Sequence, residues 1–290
     1  MIKRAVSFTS WTIAATVLSG LALALAHRDT LTTLLATKDS SDQAAAIATP
    51  SPSPRLSPYP EPSAKPGTRV YLNYEQWVDL VGREAKVAAE DRPARLTILA
   101  GDSLSLWFPQ ELLPSGFSWL NQGISGDASD GLLRRLKLFD ATQPEMILVM
   151  IGINDLSQGL RRETVVANHR EILSHLKTVH PQARVVVQSI LPHAADRALQ
   201  SPTPPPWAER LISTPNSDIR ELNQELAIVA KEESVDFLDL HPFFTDPQGE
   251  MQAELTTDGL HLNRRGYAVW RSQLQEFQQR SSRPVSVPSH

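Results

Sequence analysis

Short apolar runs alternate with amphipathic segments from residue 95 onward, and this alternation constrains the fold more than any other feature. The run EMILVMIG at 145–152 is almost continuously apolar, which is typical of a parallel strand covered on both faces. Strands separated by helices in this way predict an α/β fold, with a central parallel sheet of about five strands covered by helices. Strands are predicted at residues 95–100, 119–124, 145–152, 184–191 and 235–240.

The segments between and around these runs have the apolar spacing of helices that bury one face. Pro181 ends the third of them, because proline cannot continue a helix. Ser217 is the expected N-cap of the fourth, since its hydroxyl can accept a hydrogen bond from the first turn. Helices are predicted at residues 74–91, 130–139, 162–180, 217–233 and 264–280.

The composition is that of a globular protein and excludes several kinds of chemistry. The 290 residues are 41% hydrophobic and 21% charged, which suits one large domain with appendages. With a net charge of −4 the chain has no excess of basic residues, so no nucleic-acid partner is expected. The absence of cysteine excludes disulfides, a thiol nucleophile and thiolate metal ligands. The arginine pairs are scattered and are expected on solvated helix faces: Arg134–Arg135, Arg161–Arg162 and Arg264–Arg265.

The histidines do not form a metal-binding pattern. His169, His175 and His180 are spaced by six and five residues, so they miss the spacing of four that puts two ligands on one helix face. We expect these three side chains to be exposed. No metal ion and no organic cofactor is predicted.

The first 26 residues have the features of an export segment. Lys3 and Arg4 precede residues 5–26, which contain no charged side chain. As a helix this stretch would be about 33 Å long, close to the thickness of a bilayer core. It is interpreted either as a membrane anchor or as a signal peptide, with small residues at 24–26 for cleavage. Both interpretations place the rest of the chain outside the inner membrane, anchored and facing the periplasm, or released.

Residues 27–69 are predicted to be a disordered, proline-rich linker. Seven of the 22 prolines lie between Pro50 and Pro66, and such a segment cannot form a regular ladder of backbone hydrogen bonds. We interpret it as a spacer ahead of a single folded domain at 70–280, which is followed by a disordered tail at 281–290.

Three predicted strands end in short polar motifs. GDSLS begins at residue 101, GISGD at 123 and GIND at 152. Ligands bind outside the carboxyl ends of parallel strands, so these motifs should share one edge of the sheet. Ser103 is placed to begin a helix, where its backbone amide favours developing negative charge. Gly126 offers an unobstructed backbone amide and Asn154 a side-chain amide to the same edge.

A histidine and an aspartate towards the end of the chain supply complementary chemistry. A serine hydroxyl is a poor nucleophile near neutral pH and needs a general base. His261, in TTDGLHLN at 256–263, is the candidate base. Asp258 lies three residues earlier and can reach the imidazole within one turn, where a carboxylate fixes the tautomer and stabilises the imidazolium.

These motifs resemble those of the GDSL/SGNH hydrolase family of serine esterases and lipases. The resemblance is carried by GDSLS, NQGISGDAS, IGINDL and DGLHLN, in that order along the predicted domain. It implies a three-layer α/β/α sandwich with Ser103 as the nucleophile and with Asp258 and His261 as the rest of the triad. It also implies an oxyanion hole formed by the backbone amides of Ser103 and Gly126 and the side chain of Asn154.

Other residues flank these motifs. Asp102, Asp127 and Asp155 are interpreted as structural carboxylates that accept hydrogen bonds from loop amides. Trp107 and Phe108 are expected in the core, with the lining of an acyl pocket as the alternative.

The stretch 193–217 leaves the fourth strand at the same edge and is long for a connection. Two interpretations remain open, a lid over the site and a surface excursion. Trp207, which follows three prolines, is the residue singled out in this stretch.

The resemblance implies a serine ester hydrolase that forms an acyl-enzyme on Ser103, and the N-terminal segment predicts that it is exported. The expected partner is a small-molecule or glycan ester, either an acetylated glycan or a lipid such as a lysophospholipid, and residues 5–26 would provide any membrane attachment. Two alternatives remain open. One is an O-acyltransferase acting on a cell-envelope polysaccharide, and the other is a non-catalytic carbohydrate-binding protein with the same fold.

Overall fold

The five predicted apolar runs form five strands of a single sheet. In this computed structural model, which describes residues 72–281, they are β1 Leu96–Gly101, β2 Ser118–Gly123, β3 Met146–Met150, β4 Arg184–Gln188 and β5 Asp236–Leu238. The order across the sheet is β2-β1-β3-β4-β5, and each neighbouring pair is parallel. The predicted α/β class with a parallel sheet of five strands is therefore confirmed.

Helices connect the strands and cover the sheet. They are α1 Tyr74–Asp91, α2 Ser103–Leu106, α3 Ser129–Arg135, α4 Ile153–Ser157, α5 Arg162–Val179, α6 Ala195–Leu199, α7 Pro206–Leu211, α8 Asn216–Glu232, α9 His241–Phe244 and α10 Arg264–Ser281. All five predicted helices are present, and the second continues from α3 into a 3₁₀ turn at Leu136–Phe139. Of the short helices, only α2 was predicted, from its start at Ser103, because segments of four to six residues show too little periodicity.

Side chains from alternate positions of the strands build two hydrophobic cores, one on each face of the sheet. On β3, Ile147 and Val149 face a core shared with α3, α5 and α8. Leu148 and Met150 face a second core that includes Trp270 of α10. Burying a large apolar side chain contributes about 1.5–3 kcal/mol, so both faces stabilise the central strand. The result is a three-layer α/β/α sandwich.

The register of the strands brings three strand exits to one edge. Gly101 at the end of β1 is level with Gly123 on one side and with Met150 on the other. A Cβ atom at Gly101 would lie 2.2 Å from the carbonyl oxygen of Met150, so only glycine permits this close approach. The chain segments that follow β1, β2 and β3 therefore start side by side.

Several local predictions were wrong. Arg135, His169 and His180 are buried rather than exposed. The imidazole of His169 contacts the carbonyl oxygen of Val165 on its own helix, and burial lowers its pKa to about 4. The cap predicted at Ser217 is also not formed, because α8 already begins at Asn216.

The predicted export segment (1–26) and linker (27–69) lie outside the described residues, as does all but the first residue of the predicted tail. Among residues 72–281, no helix combines the length and apolar character needed to cross a bilayer.

Candidate active site

Ser103 lies at the junction between β1 and α2. Asp102 caps the helix, because its Oδ1 accepts a hydrogen bond from the amide of Leu104 at 2.9 Å. As the first residue of α2, Ser103 has an amide with no acceptor within the helix, and its side chain is almost fully buried. A Cβ atom at Gly123 would lie 2.4 Å from the amide nitrogen of Leu106, so this glycine lets α2 pack closely against β2.

The side chains of Ser103, His261 and Asp258 form a continuous chain of hydrogen bonds. Ser103 Oγ lies 3.1 Å from His261 Nε2, and His261 Nδ1 lies 2.7 Å from Asp258 Oδ2. An ionised carboxylate only accepts hydrogen bonds, so Nδ1 carries the proton and Nε2 is free to accept the hydroxyl proton. The structure thus brings together three residues, of which Ser103 and His261 are 158 positions apart along the chain.

The carboxylate of Asp258 is held in its ionised form. Burial by itself would raise its pKa, but the hydrogen bond and charge of His261 and the backbone amides of His261 and Leu260 lower the pKa to about 2. Those amides donate to Oδ1 at 2.8 and 3.0 Å. Trp207 Nε1 donates to Oδ2 at 3.3 Å. Asp258 is therefore negatively charged at every pH where the protein would work, and can stabilise a cationic imidazole.

The predicted oxyanion donors lie on the same edge of the sheet. Gly126 has a left-handed φ of 78° in a turn closed by the bond from the Asp127 amide to the Ile124 carbonyl. Asn154, near the start of α4, donates one side-chain N–H to the carbonyl oxygen of Asp127 at 2.9 Å. That bond ties Asn154 to the Gly126 turn and leaves its second N–H for another acceptor.

A buried ion pair between Arg135 and Asp127 connects the Gly126 turn to the ends of two strands. Arg135 Nε donates to Asp127 Oδ2 at 2.7 Å, and both side chains are almost fully buried. The other guanidinium nitrogens donate to the carbonyl oxygens of Gln122 and Gly101, at 2.7 and 2.9 Å. Arg135 thereby fastens the ends of β1 and β2 to the Gly126 turn. Its spacing of three from Leu132, on the apolar face of α3, was the sequence signal for a buried position.

The three carboxylates that flank the motifs hold backbone or side chains in place, as predicted. Asp155 is fully buried and accepts hydrogen bonds from the amide and the hydroxyl of Ser129 at the start of α3. Burial raises the pKa of Asp127 and of Asp155, against the opposing effect of their hydrogen bonds. Burial likewise raises the pKa of Asp102, to about 7, although its bond from Leu104 acts in the other direction.

The two aromatic residues after the serine motif have different environments. Phe108 is buried in the core, 5.0 Å from the rings of Tyr267 and Trp270. Trp107 is 39% exposed, and its ring centroid lies 4.3 Å from that of His261. The core interpretation is correct for Phe108 and wrong for Trp107, whose ring contacts the imidazole at an interplanar angle of 41°.

The stretch 193–217 is a structured excursion that contains α6 and α7. At its base, the amide of His193 donates to Asn216 Oδ1 at 3.0 Å, and Asn216 Nδ2 donates back to the His193 carbonyl at 2.8 Å. The amide of Ala194 donates to the carbonyl oxygen of Gly259, next to Asp258. The excursion therefore packs against the loop that carries Asp258 and His261.

Comparison with known proteins identifies relatives over most of the described chain. A family model, the GDSL-like Lipase/Acylhydrolase family, matches residues 97–269. Platelet-activating factor acetylhydrolase IB subunit alpha1 from Pongo abelii is 30% identical over 199 residues, 67% of this chain and 78% of that protein. The same subunit from Homo sapiens is 30% identical over 198 residues, 66% and 78% of the two chains. A solved GDSL-like lipase from Bacteroides thetaiotaomicron has the same fold, with a TM-score of 0.57, 18% identity and coverage of 69% of this chain and 99% of that chain.

The protein is a three-layer α/β/α protein that brings Ser103, His261 and Asp258 into one chain of hydrogen bonds. The chain belongs to the GDSL-like lipase/acylhydrolase family, which the match over residues 97–269 establishes together with the acetylhydrolase relatives. Within residues 72–281, no group of histidine, aspartate and glutamate side chains is arranged to hold a metal ion.

Proposed function

We propose that this protein is a serine ester hydrolase in which Ser103 forms a covalent acyl-enzyme. The observation that carries the proposal is the chain from Ser103 Oγ to His261 Nε2 at 3.1 Å and from His261 Nδ1 to Asp258 at 2.7 Å. This arrangement gives a weak nucleophile a base, and gives the base a counter-charge.

In the first half of the reaction, Ser103 Oγ attacks the ester carbonyl carbon while its proton passes to His261 Nε2. The imidazolium that forms is stabilised by the ionised Asp258. The tetrahedral intermediate collapses with cleavage of the bond to the alcohol oxygen, and that oxygen takes the proton from Nε2. In the second half, water attacks the acyl-enzyme by the same route and releases the carboxylic acid and free Ser103.

The negative oxygen of each tetrahedral intermediate needs donors that are already in place. The proposed donors are the backbone amides of Ser103 and Gly126 and the second N–H of Asn154. The bond between Asn154 and the Asp127 carbonyl supports this assignment, because it holds the amide group in one orientation beside the Gly126 turn. One such donor is worth about 3–4 kcal/mol in the transition state.

For the substrate, we propose a short-chain carboxylic ester, with acetyl as the first candidate. The relatives from Pongo abelii and Homo sapiens are named as acetylhydrolases. The alcohol part belongs to an acetylated glycan or to a lipid such as a lysophospholipid. A panel of p-nitrophenyl esters from acetate to palmitate tests the acyl preference, and acetylated glycans and phospholipids assayed beside it test the alcohol.

Ser103→Ala tests the mechanism directly. It should lower kcat on p-nitrophenyl acetate by on the order of 10⁴-fold or more, because the nucleophilic oxygen is deleted. A fluorophosphonate should add one mass label to the wild type, on the peptide containing Ser103, and none to the variant. Full turnover or full labelling in a folded Ser103→Ala protein contradicts the proposal.

We also propose that the domain is exported through residues 1–26. Lys3 and Arg4 followed by the uncharged stretch 5–26 support this. A reporter fused after residue 66 should be active outside the inner membrane, and N-terminal sequencing of the mature protein should distinguish cleavage after Ala26 from a retained anchor. A reporter active only in the cytoplasm contradicts export.

A further inference from the structure

We infer that Trp207 is a positioning residue for the reaction, and that it acts through the hydrogen bond from its indole N–H to the carboxylate of Asp258. The inference rests on the proposed function, since it assigns a role to a group that orients the proposed acid. Trp207 lies in α7, within the excursion between β4 and α8, far in sequence from all four motifs.

The two oxygens of Asp258 are held in different ways. Oδ1 accepts the amides of Leu260 and His261, which belong to the same short loop. Oδ2 accepts His261 Nδ1 at 2.7 Å and Trp207 Nε1 at 3.3 Å. Trp207 is thus the donor that reaches this carboxylate from a separate part of the fold.

A donor from outside the loop adds a restraint that the loop cannot provide for itself. Loop 256–263 is held by bonds within it, such as that from the Thr256 hydroxyl to the His261 carbonyl, and from outside by the Ala194 amide on the Gly259 carbonyl. The carboxylate of Asp258 itself accepts its other hydrogen bonds in the described chain from Leu260 and His261, which belong to the same loop. A carboxylate held only by its own loop can rotate with that loop. The hydrogen bond from the indole N–H fixes the position of Oδ2 relative to α7. Because Oδ2 also contacts the imidazole, the same bond helps to orient that ring.

The placement of the indole is itself well supported. Trp207 is only 9% exposed and belongs to the same core as Leu211 and Leu260. Its ring edge lies against Gly259, where a Cβ atom would be 3.5 Å from the indole Cη2. The paired bonds between His193 and Asn216 close the base of the excursion. The donor is therefore carried by a helix that packs into the core.

The central test is Trp207→Phe, which keeps an aromatic ring and deletes the N–H. We expect kcat on p-nitrophenyl acetate to fall about tenfold with KM unchanged, because the acid is needed for the transition state and not for binding. The matched control is Trp119→Phe. Trp119 Nε1 donates to the carbonyl oxygen of Pro114 at 2.9 Å, near the beginning of β2 and away from the site, so its loss should leave kcat unchanged.

A double-mutant cycle separates positioning from general destabilisation. In the Asp258→Ala background the indole has no carboxylate to orient, so Trp207→Phe should change the residual kcat by less than about twofold. The same tenfold fall in both backgrounds would show a purely structural role and overturn the inference. Wild-type kcat in a folded Trp207→Phe protein would also overturn it.

A near-isosteric replacement decides the question if Trp207→Phe does not fold. Benzothienylalanine at position 207 exchanges the indole N–H for sulfur and retains the shape of the ring system. The same tenfold fall in kcat is expected, and wild-type activity contradicts the inference. Ser103→Ala distinguishes the two proposals. If it remains active, the proposed function fails; if it is inactive while the position-207 variants have wild-type kcat, only the role of Trp207 fails.

Discussion

The two halves of the site are built by different means. One half, called the nucleophile half after the role proposed for Ser103, consists of Ser103, the Gly126 turn and Asn154, which follow β1, β2 and β3. The base half consists of loop 256–263, which lies well beyond β5 and belongs to no strand of the sheet. The nucleophile half is positioned by strand register, whereas the base half is positioned by bonds within its loop and by the excursion that packs against it.

The pKa values of the carboxylates in the two halves are shifted in opposite directions, because burial dominates in one half and hydrogen bonds and charge dominate in the other. Asp102, Asp127 and Asp155 hold the nucleophile half, and burial raises the pKa of each. Asp258 is partly exposed and is surrounded by donors, and its pKa is lowered to about 2. Asp102 accepts one backbone amide and tolerates neutralisation, whereas a carboxylate that balances an imidazolium must stay ionised.

The largest effect that tests this comparison is expected from Asp258→Asn. The amide keeps the size of the side chain but removes the charge, and its NH₂ group can favour the wrong imidazole tautomer. We expect kcat to fall on the order of 10³–10⁴-fold with a small change in KM. Steady-state kinetics on p-nitrophenyl acetate measures this, with thermal unfolding as the check on folding. A loss smaller than tenfold would mean that the base half does not depend on Asp258.

A smaller effect is expected from Asn154→Ala in the nucleophile half. The variant deletes a donor to the negative oxygen but leaves the nucleophile and the base intact. We expect kcat to fall on the order of 10²–10³-fold with KM nearly constant, because the donor acts mainly in the transition state. Asn168→Ala is a suitable control, since Asn168 donates instead to the hydroxyl of Ser129 in the supporting network. Equal losses of kcat in the two variants would remove Asn154 from the oxyanion hole.

The smallest expected effect concerns stability and comes from Asp102→Asn. The folded-state pKa of Asp102 is about 7, above its ordinary value, so the folded protein retains a proton that the unfolded chain releases between about pH 4 and 7. The wild type therefore loses stability as pH rises through this range, and the variant lacks that loss. Asparagine still accepts the Leu104 amide through its oxygen.

Denaturant unfolding of both proteins at pH 5 and pH 8 measures this difference. Relative to the wild type, Asp102→Asn should gain on the order of 2 kcal/mol between the two pH values. If the difference in unfolding free energy between the wild type and Asp102→Asn is the same at pH 5 and pH 8, Asp102 ionises normally. The contrast between the carboxylates of the two halves would then be removed.

Sequence reasoning was most successful where local pattern and physical cause coincide. The bounds of the strand predicted at 145–152 and of the helix predicted at 162–180 are correct to within two residues, because the spacing of their apolar residues indicates which positions are buried. Strand β4 ends at Gln188 instead of residue 191, because apolar residues after it enter the core without pairing. The excursion at 193–217 was recognised as long, but its helices α6 and α7 are too short for periodicity to show.

Arg135 shows why polar residues are harder to place. Its type predicts exposure, but its spacing from Leu132 directs it inward, where Asp127 supplies a counter-charge from eight residues away. A buried charge is tolerated only when it is paired and fully hydrogen-bonded, and those partners are distributed over β1, β2 and the Gly126 turn. His169 was misplaced in the same way, because helix spacing alone did not reveal that its face packs against the core.

The sequence by itself determined the α/β class and the three strand exits, because they follow from local periodicity and short motifs, and the resemblance of its motifs to a family selected Ser103, Asp258 and His261 as candidates. Only the tertiary structure decided which groups support them. The indole of Trp207 on Asp258, the guanidinium of Arg135 under the Gly126 turn and the ring of Trp107 against His261 are contacts between segments distant along the chain. Such contacts depend on how helices and loops pack around the sheet, and no local pattern in a single sequence encodes a packing of that range.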